Sequence, residues 1–190
     1  MSRCFFELEF DVYVPGRWYL REPTDFGGQQ IPDIWVFVYG KPVDETRRLR
    51  IPLSRPGKPL DFDKTTVAGT PIVNARVASV FRDMAPDDVQ LFPVEVQGQS
   101  EPYFLLNVAR VLRCIDDAAC EEVRLWTLED GRPDRVGEYH VISGLRIDKS
   151  KTGDAHVFRL WGYLPTIVVD GEIKEALERT GIVGGRFVEV

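Results

Sequence analysis

The chain has 190 residues, 44% hydrophobic and 28% charged, so it can bury a core without disulfide or metal staples. Its net charge of −6 and pI near 5.1 oppose binding to nucleic acid or an anionic membrane and favour a basic partner. No apolar run reaches the ~18 residues of a membrane span, and Glu7 interrupts the start too early for a secretion signal. Cys4, Cys114 and Cys120 close no disulfide framework and match no zinc spacing. Buried or unreactive thiols in a reducing cytoplasm are therefore expected.

Phe6–Val14 alternates apolar and polar with period two and predicts a half-buried strand ended by Pro15-Gly16, with Trp18-Tyr19-Leu20 continuing beyond the turn. Residues 21–33 read as a loop. Trp35–Tyr39 predicts a compact strand stopped by Gly40, and Leu49–Leu53 an edge strand, because Pro52 cannot donate to a ladder. Residues 54–59 form a proline-rich turn region. Asn74 suits a helix N-cap, followed by Val77, Val80, Phe81 and Met84 on one face and closed by Pro86.

Val89–Val96 returns to strand. Phe104–Ile115 predicts a long central strand, plain or bulged, paired with Val123–Trp126 across the acidic turn Asp116–Glu122. Residues 129–137 make a turn, and Tyr139–Ile147 another strand. Asp170 can cap a last helix with Ile173, Ala176 and Leu177 as its buried stripe and Lys174 and Glu178 four apart. Gly181 follows as the residue that reverses the chain, and Phe187–Val190 alternates as a closing strand. The pattern predicts an α+β fold, mainly antiparallel sheet with at least two helices. Residues 1–190 form one domain, or two lobes meeting near 98–102.

Chemistry-bearing constellations are sparse. His140 and His156, the only histidines, enclose Asp148 and Asp154 but have no metal-ligand spacing, so structural or surface roles and no metal are expected. Ser143-Gly144 lacks a nucleophile elbow, and nothing activates Cys120. Gly181, Gly184 and Gly185 follow a helix instead of opening one, so no nucleotide cofactor is expected. The pairs Asp61/Asp63, Asp87/Asp88, Asp116/Asp117 and Glu121/Glu122 read mostly as solvated turns, the remainder as partner-binding surface.

Asp116, Asp117, Glu121 and Glu122 place four carboxylates within seven residues. Such a cluster can steer a basic protein towards the chain, or it can be a solubilising loop. Trp18, Tyr19, Trp35 and Tyr39 could supply interface anchors, with core packing expected for at least half of them.

A wider pattern emerges from the C-terminal segments. They are Val141–Asp148 with its Gly-Leu-Arg-Ile-Asp turn, His156–Arg159, Ile167–Val169, the capped helix and Gly185-Arg186-Phe187. With residues 11–20, 57–62, 86–94 and 113–117, they resemble the myxobacterial class of polymorphic-toxin immunity proteins, formerly a domain of unknown function. The resemblance covers nearly the whole chain. It implies a cytoplasmic α+β protein, without catalytic residues, that binds and occludes a cognate toxin. It supplies neither the toxin's chemistry nor the contact residues. Two readings stand against it: an enzyme with an unrecognised site, and a regulatory or adaptor module that binds another protein.

Overall fold

A computed structural model describes residues 3–190. Strand β1, Phe5–Phe10, is shorter than its alternation predicts. Asp11 turns the chain, because its N–H donates to Gly184 and its carboxylate accepts the Tyr13 N–H. β2 is Tyr19–Leu20. The expected strand Trp35–Tyr39 is instead a 3-10 turn over Val36–Val38. Asp33 accepts the Trp35 N–H on its side chain and the Val36 N–H on its carbonyl, and only Phe37 is fully buried. A five-residue apolar run fits strand or helix equally, and the aspartate decides.

Pro52 splits the next predicted strand into β3, Leu49–Ile51, and β4, Leu53–Arg55, which join different sheets. β5 is Phe62–Lys64 and β6 is Pro71–Asn74. Helix α1, Ala75–Met84, starts where the Asn74 side chain accepts the Val77 N–H at 3.1 Å. β7 is Val89–Val96. The long strand expected over 104–115 is two: β8, Tyr103–Val108, and β9, Val111–Leu112, in different sheets. Asp88 makes the step between them, taking the Ala109 N–H on its carbonyl and the Arg110 guanidinium on its carboxylate.

β10, Glu122–Leu125, pairs with β11, Tyr139–Ser143, and not with the central strand. β12 is Val157–Leu160 and β13 is Tyr163–Asp170. Helix α2, Gly171–Arg179, follows the sequence closely. Asp170 accepts the Ile173 N–H at 2.9 Å, Ile173, Ala176 and Leu177 face inward, and Lys174 meets Glu178 at 2.7 Å. Gly181 then takes φ +70°, and β14 is Gly185–Glu189.

One five-stranded sheet runs β14-β1-β13-β12-β9, and a second runs β3-β7-β8-β6-β5. All pairings are antiparallel except β9 with β12 and β3 with β7. The fold is therefore α+β with mainly antiparallel sheet, and β3 is the edge strand its neighbouring proline predicts. Gly98–Pro102 lies in the turn between β7 and β8.

Successive strand residues face opposite sides, and the core divides accordingly. Val73, Leu106, Val157, Ile167 and Val169 join Val77, Phe81, Ile173 and Leu177 in a central cluster where both helices meet both sheets. Their neighbours Ile72 and Leu105 turn the other way, under a cover that includes Trp18, Leu20, Ile31 and Phe37. Phe158 and Val168 likewise turn outward from the first sheet, under Cys114, Leu145, Ile147 and Ala155. The two sheets thus share one core, and each carries a separate irregular cover. No helix among the described residues is long and apolar enough to cross a membrane.

Candidate partner-binding site

The acidic turn lies in the second cover and is not the hairpin end expected of it. It joins the bridge Ile115–Ile147 to β10. Its shape is local: the Asp116 carbonyl accepts the N–H groups of Ala119 and Cys120, and its N–H donates to Arg146. Two of the four carboxylates are tied down. Asp117 accepts the Tyr139 hydroxyl at 2.7 Å, and Glu121 accepts the Ser143 hydroxyl at 3.2 Å. Glu121 also packs against Gly144, where φ is +56° and a Cβ would collide with its side chain, so that glycine is required twice over. Asp116 bonds only its own turn, while Glu122 stands exposed opposite Ser143 at the start of β10.

β10 and β11 form a ribbon paired to neither large sheet. It is held at both ends: Ile142, near its base, packs on the second cover's cluster, and at the closing end the Tyr139 N–H donates to Gly162. A register shift between Arg124 and Leu125 adds local twist. Beyond it, residues 126–138 close the ribbon through two short 3-10 turns, Leu128–Asp130 and Pro133–Arg135. His140 stacks on Trp126 with centroids 3.6 Å apart, and the Arg135 guanidinium lies 4.9 Å from the same ring. Thr127 and Asp130 cap one another, and these bonds hold the Asp130 carboxyl below the usual range.

Charge is concentrated here. Residues 116–143 contain eight carboxylates and three arginines, a net −5 within a chain of net −6. Asp134 pairs with Arg132 and Glu138 with Arg135, and Asp130 lies 3.9 Å from His140. Asp116, Asp117, Glu121, Glu122 and Glu129 have no cationic partner among the described residues. Sequence reasoning found four of these five. It missed Glu129 by assigning residues 129–137 to an ordinary turn.

Beside the ribbon base lies a groove of about 310 Å³, lined by Glu7, Glu9, Gly144, Leu145, Arg146 and Tyr163 among others. Burial, and then the neighbouring Glu9, push the Glu7 carboxyl above its ordinary range, against a hydrogen bond from Thr166. The groove is shallow in charge: Arg186 neutralises Glu9 at 2.8 Å, and Arg146 donates to backbone carbonyls of Leu145 and Glu189.

Other singled-out residues prove to be joinery. Asp61 binds Asn74, Arg76 and the Val183 N–H, and Asp63 binds Arg17 and the Trp18 indole. Asp88 accepts the N–H groups of His156 and Val157. These carboxylates fasten distant segments and are not the solvated turns expected. His156 bonds Asp170 at 2.7 Å, and together with Glu172 their ligand atoms lie within 4.8 Å of one another. That donor set is already spent: one Asp170 oxygen caps α2, and the other takes His156 and the Arg3 guanidinium. Arg159, 1% exposed, donates to the Leu164 and Pro165 carbonyls, and burial alone pulls its pKa down to about 10. Trp18 is core, whereas Tyr19, Trp35 and Tyr39 remain exposed. Cys114 is buried, Cys120 half-buried and Cys4 exposed.

A model of a family described as "Immunity protein family (Imm11)" matches residues 7–190. No curated protein matches the chain.

Proposed function

We propose a function from one premise: this chain belongs to the Imm11 family of immunity proteins. In this reading it is a cytoplasmic, non-enzymatic inhibitor. It binds a cognate antibacterial polymorphic toxin one to one and blocks it by occlusion, protecting its cell during interbacterial competition. Residues 1–190 act as a single domain, a reading supported by the central cluster that both sheets share.

The observation that carries the contact assignment is the acidic ribbon and its base. Asp116, Asp117, Glu121 and Glu122 head a segment of net −5 in a chain of net −6, and none of the four has a cationic partner among the described residues. Carboxylates so placed repel nucleic acid and anionic membrane, and they accelerate encounter with a basic protein surface. A stable one-to-one complex would bury about 1,600 Å² in total, so the turn supplies only part of the interface.

The test is co-expression with the protein encoded immediately upstream, where an immunity protein's toxin is expected. Growth rescue together with a co-purifying complex supports the reading. Rescue without a complex favours an enzyme, for which the groove at Glu7 and Arg146 is the first place to search. A harmless neighbour favours an adaptor.

A further inference from the structure

We propose that the tip of the β10–β11 ribbon is an apolar plug that inserts into a basic-rimmed apolar cleft on the toxin. The proposal rests on the immunity reading and goes beyond its charge argument. Leu128 is 75% exposed and Val136 47% in the closing segment, and Leu125, the last residue of β10, is 39% exposed. A two-stranded ribbon with no larger sheet behind it is marginal by itself, so leaving three aliphatic side chains outside adds an aggregation liability. The stacked Trp126 and His140, the Arg135 guanidinium and the Thr127–Asp130 cap nonetheless hold this tip in one shape. Pre-ordered apolar groups lose little freedom on docking, which is what a binding anchor requires.

The surroundings select the occupant. Glu129 lies next to Leu128 with no cationic partner among the described residues, residues 126–138 carry four carboxylates against two arginines, and Asp116, Asp117, Glu121 and Glu122 precede or open β10. An apolar centre bordered by carboxylates complements a cleft whose floor is apolar and whose rim is lysine or arginine. It does not fit a second copy of this chain through the same face, because two segments of net −5 would repel.

The decisive experiment uses the full chain and the purified upstream-encoded toxin, with binding kinetics measured for wild type, Leu128→Ser and Val136→Ser. Val67→Ser serves as a control, an aliphatic 61% exposed outside the ribbon. Either tip substitution should weaken binding about tenfold or more, mainly through faster dissociation, while the control stays within about twofold. Hydrogen exchange gives a second reading that needs no variant: amides of residues 126–138 should slow in the complex. Tip variants that bind like the control, or tip amides that exchange as fast in the complex as free, would overturn the plug while leaving immunity standing. A wild-type chain that forms no complex would overturn the immunity reading itself.

Discussion

The two covers solve the same packing problem with opposite outcomes. Each closes the outer face of a five-stranded sheet, and the first, residues 11–60, buries two of its large aromatics and leaves Tyr13, Tyr19, Phe26, Trp35 and Tyr39 exposed. Trp18 and Phe37 are fully buried, and the Trp18 indole reaches the carboxylate of Asp63 at 3.0 Å. The second cover seals its sheet with Leu145, Ile147 and Cys114 and adds a two-stranded ribbon whose closing segment carries the exposed Leu128 and Val136. Their charges diverge. Residues 11–60 carry eight cations and six carboxylates, a net +2, against −5 for residues 116–143. Charge, and not the number of exposed apolar groups, is what separates the two covers.

Disrupting the first cover should cost the most. Trp18→Ala is expected to lose about 3–5 kcal/mol in urea unfolding, and a loss below about 1 kcal/mol would show that this cover is dispensable. Thiol labelling then compares how tightly the second cover is shut. Burial pushes the Cys114 thiol up to about 11, while Cys4 is exposed. At pH 8 Cys114 should react at least about a hundredfold more slowly than Cys4. Comparable rates would mean that the second cover opens freely.

Smaller effects separate surface from scaffold. Reversing Asp116 and Glu122 to Lys avoids the tied carboxylates of Asp117 and Glu121. It should weaken toxin binding about tenfold, roughly 1.4 kcal/mol, with an unchanged melting temperature. Unchanged affinity would remove the acidic turn from the interface. Leu128→Ser should shift folding stability by no more than about 0.5 kcal/mol, because its side chain has little packing to lose. A larger loss would make the tip part of the scaffold.

Much of this was legible where a local rule acts alone. Asn74 and Asp170 announced both helix starts, Gly181 the reversal, and Pro52 the edge position of its strand, though not the break it makes after Ile51. The failures are where a side chain overrides a hydrophobic pattern. Asp33 bends Trp35–Tyr39 into a turn, Asp11 cuts β1 short, and Asp88 carries one apolar run across two sheets. The pairing of β10 with β11 was hidden because the thirteen mostly polar residues 126–138 separate them, and a nearer apolar partner looked cheaper in loop entropy. The acidic turn was found from composition, but the exposed Leu128 and Val136 were not. An isolated aliphatic residue in a polar loop carries no periodicity to read.

The pairing of β1 has a temporal consequence. Its neighbours are β13 and β14, so Glu7 and Thr166, which share a hydrogen bond, are 159 positions apart. The second sheet, by contrast, is complete once Val108 has emerged from the ribosome. Synthesis at about 5–20 residues per second therefore leaves β1 without a partner for several seconds while the acidic ribbon is made. The ribbon, whose Tyr139 bonds Gly162 in the turn between β12 and β13, can dock on the body only after β12 and that turn have been made.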